Sequence, residues 1–476
     1  MKKLILGILL AIGVISCTEE GIAGKDGVNG TNGTNGTNGI NGIQGKTFII
    51  ITGNITDEQA ASQIAQELGP NTTHISITNT KGLTAIDLST LTTVWDVNID
   101  NNLDLATVNL NGLKSINGLS LSNDNKLQSV SLNNLVSSSY ISFYACPVAS
   151  LNLPLLKSGS LNIYDSTYLT SLNVPSLAVG NVSVSGALLT SLSMPLLTNG
   201  NVSVSGGSLT SVSLPLLTTG SVSVAGASLT TLSLSSLVNG NVSVPSVSLT
   251  TLSLPLLTNG NISVSGASLI SVSLPVLVNG NVSVSGASLS SVSLPLLANG
   301  NVSASGASLT SLILSKLTKG NVNVSGTLLT SFNLSSLTTG NVSISGLSLT
   351  SLSLSSLTAG SVTISDTSLI ALDLPLLNTV TKELYASYSL YVINNKKLTS
   401  INIPKLISVS GDVYLYNNSF PSSEINKLLS LSINKITFIG LKSIFLFGQI
   451  PKGPPTGQGI IDKNALIAKG YAVTTD

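Results

Sequence analysis

Residues 189–208 read LTSLSMPLLTNGNVSVSGGS, and residues 209–228 read LTSVSLPLLTTGSVSVAGAS. The same phase returns at Leu229, Leu249, Leu269, Leu289, Leu309, Leu329, Leu349 and Leu369. So strict a period marks a structural unit stacked on copies of itself. In the first quoted unit the apolar residues are Leu189, Leu192, Met194, Leu197, Val202 and Val204. The pairs Leu192/Met194 and Val202/Val204 flank Ser193 and Ser203, which is strand periodicity. Pro195, Thr198-Asn199-Gly200-Asn201 and Ser205-Gly206-Gly207 supply corners, because Gly and Asn accept backbone angles that other residues resist. Each unit therefore reads as one coil of two short strands and two bends. A lone coil turns too few side chains inward to offset the ordering of its own backbone, so coils must stack and share a core. The expected fold is all-β: a right-handed parallel β-solenoid of leucine-rich coils, with an N-terminal capping helix and an α/β C-terminal cap.

Outward from the regular units, longer ones begin at Leu83, Leu105, Leu127 and Val148, so residues 75–168 read as irregular coils. Residues 169–420 hold the regular coils and the last irregular ones, with an insertion between Leu369 and the next clear unit at Leu398. Residues 47–74 read as a strand and a capping helix: Lys46–Gly53 is strand-like, and Thr56–Leu68 is helical. Thr56 and Gln59 stand at capping-box spacing, Ala60, Ile64 and Leu68 make an apolar stripe, and Gly69-Pro70 stops it. This helix is expected to cover the open edge of the first coil. Residues 421–476 form the C-terminal cap, with short helices expected over Ser422–Ile433 and Lys463–Lys469.

Residues 1–16 have a basic start, Met1-Lys2-Lys3, an apolar run from Leu4 to Ile15, and Ser16 before Cys17. That is the pattern of a secretion signal, too short to span a bilayer comfortably. Val14-Ile15-Ser16-Cys17 resembles a bacterial lipobox, which implies a lipidated N-terminus over residues 17–20 and a membrane anchor at Cys17. The following Thr18-Glu19-Glu20 resembles the surface-export tag of Bacteroidota lipoproteins, which implies the outer membrane and the cell surface. Residues 21–46 carry glycine at every third position from Gly21 to Gly45, and this resembles the collagen-like stalks of bacterial surface proteins. The segment has no proline, so both a flexible spacer and a homotrimeric stalk stay open. Extended at ~3.1 Å per residue, it would reach roughly 80 Å.

The coil pattern L-x-x-L-x-L-P-x-L followed by G-N-V-x-V resembles the leucine-rich repeats of receptor L domains, and the arrangement looks closest to leucine-rich surface lipoproteins of flavobacteria. The likeness covers about residues 75–420 and implies a fold, not a ligand.

Net charge is +1 and only 8% of residues are charged, which gives no electrostatic case for nucleic acid. The basic residues are all lysine, so the bidentate arginine clamp for phosphate or carboxylate is missing. Between Ser166 and Ser365 the only charged side chains are Lys316 and Lys319. A titrating pair for acid–base catalysis and a converging set of metal ligands both need more than that. No catalytic, cofactor or metal site is expected. His74, the one histidine, reads as a structural or surface residue near the first coil. Asp96-Val97-Asn98-Ile99-Asp100-Asn101-Asn102-Leu103-Asp104 imitates the front of a calcium loop. Asn101 replaces the required Gly and Thr107 the final Glu, so these residues are expected on the outer face and corner of a coil.

Asn181, Asn201, Asn241, Asn261, Asn281, Asn301, Asn321 and Asn341 recur at one place in the coil and are expected to stack as an amide ladder. Outward serines such as Ser183, Ser203 and Ser223 read as solubilising, with a flat array for ice or a crystalline polymer as the alternative. Aromatic residues gather at the two ends of the regular region. Tyr140, Phe143, Tyr144, Tyr164 and Tyr168 lie at one end, and Tyr385, Tyr388, Tyr391, Tyr414, Tyr416 and Phe420 at the other. Alternation in Val413-Tyr414-Leu415-Tyr416 turns both tyrosines outward. Exposed tyrosines suit protein or glycan contacts, so Tyr391, Tyr414 and Tyr416 are the expected partner-binding residues, and their replacement by Ser is expected to spare the melting profile. The expected function is a non-catalytic surface platform for adhesion or for protein or glycan interaction, with a structural coat or spacer as the competing reading and a polysaccharide-active enzyme as a less favoured one.

Overall fold

Alternating apolar and hydroxyl side chains lay down two strands in every regular coil, Ser191–Ser193 and Val202–Ser205 in the unit that begins at Leu189. Leu189, Leu192, Met194, Leu197, Val202 and Val204 are all at most 2% exposed, while Ser193, Leu196 and Ser203 face out. The structure is a computed structural model that describes residues 44–476 apart from 207, 327, 347, 383–387 and 441–442. The signal sequence, Cys17 and the glycine triplets up to Gly42 lie outside the described residues, as does Tyr385.

Each strand pairs in parallel with its equivalent one coil away: Val202 lies opposite Val222, Ser203 opposite Ser223, and Leu192 opposite Val212. Like side chains thus stack on like. The strands of the Val202–Ser205 type join a single sheet of twenty, the long face, and those of the Ser191–Ser193 type form short sheets of two to four strands. One continuous core of leucine, valine and isoleucine runs between the faces. The stacked-coil reading holds, with one difference: a third face exists. Single bridges link Val179, Asn199, Thr219, Asn239 and their successors up to Thr379. Only one residue per coil pairs there, because Leu197 turns inward and Gly200 bends the chain immediately afterwards.

Gly200 has φ 149°, and a Cβ on it would stand 1.8 Å from the carbonyl oxygen of Gly180. The same geometry repeats at each regular coil, so this corner tolerates only glycine. A second corner, in the irregular coils, uses a left-handed residue instead: Asn79, Asn101, Asn123, Ala145 and Asp165 early, and Asp366, Asn394 and Asn417 late, all at φ between 51° and 58°. Short polar side chains ease that conformation.

The first described strand, β1 (Phe48–Asn54), pairs in parallel with β2 (His74–Lys81), so the long face itself begins at β1. Between them runs α1 (Asp57–Glu67), closed by the expected capping box: Thr56 N–H donates to Gln59 Oε1 at 2.9 Å, and Gln59 N–H to Thr56 Oγ1 at 3.4 Å. Ala60 and Ile64 bury its inner stripe. The helix covers the open edge of the second face, and its Gln63 Nε2 also donates to the Ile50 carbonyl on β1, the edge of the long face, at 3.0 Å. Asp57 accepts the N–H and hydroxyl of Thr84 at 2.7 and 2.6 Å and the N–H of Ala85 at 3.1 Å, where the edge strand β3 (Ala85–Asp87) starts. Burial alone would raise this carboxyl, but the hydrogen bonds from Thr84 and Ala85 together hold it below its ordinary value.

At the other end α2 (Ser422–Asn434) packs on α3 (Gln458–Ala468), with Ile425, Leu428, Leu429 and Leu466 buried. α3 starts before the expected Lys463 because Gly457, at φ 50°, makes the turn that admits Gln458 and Gly459 into the helix. The strand Ala472–Thr475 closes the long face against Ser443–Leu446. The Asp476 carboxylate then accepts the N–H groups of Gly448 and Gln449 at 2.6 and 2.9 Å, tying the last residue to the last coil.

Candidate functional site

The outer side of the long face carries two features, an amide file and an aromatic cluster. In the file, Asn261 Oδ1 accepts the backbone N–H of Asn281 at 2.9 Å, and Asn281 Oδ1 that of Asn301 at 2.8 Å. The same bond joins Asn181 to Asn201, Asn241 to Asn261, Asn301 to Asn321 and Asn321 to Asn341, each at 2.8 Å. The expected ladder is present, but it runs from side chain to backbone. The glycine corner is the reason, since the preceding carbonyl points at the next glycine Cα and the asparagine oxygen takes over the N–H it leaves. A true amide-to-amide ladder runs on the third face, where Asn259 donates to Asn239, Asn279 to Asn259 and Asn299 to Asn279 at 2.9–3.0 Å. The repeated Asn-Gly-Asn of these coils was its sequence signal. Beside the first file, Asn241 to Asn321 and Ser243 to Ser303 line a shallow trough of about 500 Å³.

The aromatic cluster lies where the long face leaves the regular coils. Tyr391 pairs with Tyr414, and Tyr414 with Phe445, in successive strands. The rings of Tyr414 and Phe445 stack at 4.6 Å and 12°, and those of Tyr416 and Phe447 at 5.1 Å and 7°. Tyr388 packs on Tyr391 at 4.4 Å, and the Tyr391 and Tyr416 hydroxyls are 3.4 Å apart. Burial, then the neighbouring Tyr416, pushes the Tyr391 hydroxyl well above its ordinary range. Tyr391, Tyr414 and Tyr416 do face outward, with Val413 and Leu415 buried between them. All three are nevertheless half-buried against each other, so their removal will not spare stability, contrary to expectation. Phe445 and Phe447 were missed, although Ile444-Phe445-Leu446-Phe447 alternates as Val413-Tyr414-Leu415-Tyr416 does. Phe420 belongs to the core, as does Phe143, while Tyr140, Tyr144, Tyr164 and Tyr168 are exposed.

His74 sits on the outer face of β2, its ring stacked on Phe48 at 4.7 Å. Nδ1 is 2.8 Å from the Thr73 hydroxyl, and Nε2 is 3.6 Å from Asp96 Oδ2. Hydroxyl, imidazole and carboxylate are thus in a row, but the hydroxyl already donates to the Thr47 carbonyl at 3.2 Å, and Phe48 covers the ring. The calcium-loop imitation disperses in the fold. Asp100 accepts from Asn123 Nδ2 at 3.0 Å, Asp104 from Lys126 Nζ at 2.8 Å, and Asn101 donates to Asn79 at 2.7 Å. Asn102 is fully buried instead of lying on the outer face, because Asn101 at φ 54° turns it inward. Among the described residues no group of three or more His, Cys, Asp or Glu could hold a metal ion, and no helix is long and apolar enough to cross a membrane.

No family model matches the chain. No curated protein matches it either. Among solved structures, a leucine-rich repeat protein from Eubacterium ventriosum is 13% identical, the match covering 78% of this chain and 90% of that one at a TM-score of 0.19. So weak a superposition carries no argument. The β-solenoid of leucine-rich coils stands on its own strand register and buried core.

Proposed function

We propose that the chain is a non-catalytic bacterial surface lipoprotein, anchored in the outer membrane through Cys17, whose solenoid serves as a platform for adhesion by protein or glycan contact. The glycine-triplet segment holds that platform away from the membrane. The observation that carries the reading is the ring cluster of Tyr388, Tyr391, Tyr414, Tyr416, Phe445 and Phe447, half-exposed at the end of a long outer face of small uncharged groups. Small hydroxyl and amide groups offer little area to desolvate, whereas tyrosine is a frequent anchor of interfaces.

The test is capture of ligands from host, glycan and sibling-cell extracts by wild type and by Tyr391→Phe/Tyr414→Phe/Tyr416→Phe. The phenylalanines keep the stacking and remove the three hydroxyls. Loss of capture at an unchanged melting temperature supports the platform; equal capture by both proteins sinks the tyrosine site. Labelling with a fatty-acid analogue tests the anchor, since Cys17→Ser should take up no label.

One observation favours the competing coat or spacer role. Rings that stack face to face on neighbouring coils shield one another, which is how an irregular end of a solenoid protects its core. On that reading wild type captures nothing from any of the extracts.

A further inference from the structure

Two buried ladders run along the left-handed corner, one at each end of the solenoid. In the C-terminal ladder, Asn395 Oδ1 accepts the N–H and hydroxyl of Thr367 at 2.9 and 2.6 Å, and its Nδ2 donates to the Ile364 carbonyl at 3.1 Å. Asn418 repeats the pattern: Oδ1 accepts the Asn395 N–H at 3.1 Å, and Nδ2 donates to the Val392 carbonyl at 2.8 Å. In the N-terminal ladder, Asn102 Oδ1 accepts from Thr80, and Nδ2 donates to the Ile77 carbonyl at 2.9 Å. Every asparagine rung is thus an acceptor on one atom and a donor on the other.

The next N-terminal rung is Asp124. Its Oδ1 performs the acceptor half, taking the Asn102 N–H at 2.8 Å and Nδ2 at 2.9 Å. Its Oδ2 stands where the other rungs hold an amide nitrogen, the residue is 0% exposed, and that atom has no hydrogen-bond partner. Ile77 pairs with Ile99, so the Ile99 carbonyl is to Asp124 what the Ile77 carbonyl is to Asn102. An ionised Oδ2 would set acceptor against acceptor in a dry site; a protonated one supplies the missing donor.

We propose that Asp124 is held as a carboxylic acid whose Oδ2 proton is donated to the Ile99 carbonyl, making the N-terminal coils a pH-sensitive element that tightens on acidification. The titratable groups facing it are the Asp100 carboxylate of the preceding coil and the buried Cys146 thiol of the following one, and neither brings a positive charge. Lys126, two residues on, is engaged with Asp104. Burial pushes the Asp124 carboxyl up to about 6, with Asp100 adding to the rise and the Asn102 hydrogen bonds opposing it. A carboxyl raised on folding contributes stability that is complete below its unfolded value of 3.8 and is lost as pH climbs through about 6. Between about pH 5 and pH 7 the opening equilibrium of these coils should therefore rise roughly tenfold.

The experiment is amide hydrogen exchange on the full chain at those two pH values, read as protection factors over residues 99–124, for wild type and Asp124→Asn. Wild type should lose protection about tenfold at the higher pH. The variant, whose amide donates at any pH, should be flat and should be at least as protected as wild type at the lower pH, where the unfolded Asp124 is already ionised. Equal pH dependence in the two proteins overturns the proposal, and so does lower protection of the variant at both pH values. Infrared spectra of wild type alone give a second reading that does not depend on the variant folding. A protonated-carboxyl band that persists at about pH 6, where ordinary carboxyls are ionised, and is gone at about pH 8 supports the acid, and its absence at about pH 6 rejects it.

Discussion

A single atom decides what each corner accepts. At Gly260 a Cβ would stand 1.8 Å from the Gly240 carbonyl oxygen, at φ 156°, and backbone cannot give way there without moving a neighbouring coil. At Gly326, φ is 62° but nothing lies within 4 Å of the added carbon. Gly326→Ala should thus cost only the left-handed penalty of about 1–2 kcal/mol, and Gly260→Ala should cost more than about 3 kcal/mol. Denaturant midpoints of the two variants check the order, and equal losses would contradict the contact argument. The glycine file itself is legible in the repeat, since Gly recurs at each Asn-Gly-Asn or Thr-Gly-Ser. Its cause is not legible, because the atom that excludes a side chain belongs to a coil one repeat away.

Elements were read with uneven success, and the failures share a cause. α1 and its capping box follow from local signals, as do the twin strands of each coil. What α1 covers does not, for its Asp57 reaches the edge of β3 across many intervening residues. The outward tyrosines were likewise predictable from alternation, whereas their stacking on Phe445 and Phe447 depends on which strands become neighbours. That stacking makes a prediction for the cluster as a packed element. Tyr391→Ser/Tyr414→Ser/Tyr416→Ser should lower stability by about 2–4 kcal/mol, from aromatic pair terms of ~0.5–1.5 kcal/mol each together with lost burial. Thermal melts of the triple variant test this, and a melting temperature equal to that of wild type would show that the rings do not support the last coils.

For the molecule as a unit, parallel register is what must survive any change. Removing residues 209–228 joins Ser208 to Leu229, and both Leu209 and Leu229 are fully buried at the same coil position. The result should be a shorter folded solenoid. Removing residues 209–218 instead joins one face to another and sets Thr219 at the coil position of Leu209 and Ala227 at that of Leu217, both fully buried leucines, which puts a hydroxyl and a void in the core. Protease resistance should be kept by the first deletion and lost by the second. Similar resistance in both would refute a core shared coil to coil.

The chain alone specified the repeating coil, its inward six and the outward tyrosines, because each depends on alternation or spacing within one unit, and identical units stacked in phase bring like residues together. It also contained the Asn files, but not which atoms they use. The third face, the side-chain-to-backbone course of the Asn ladder, the edge that α1 covers and the unpartnered oxygen of Asp124 were decided only in the stack. Each arises where a group of one coil meets the backbone of another, and that distance exists only once the coils are superposed.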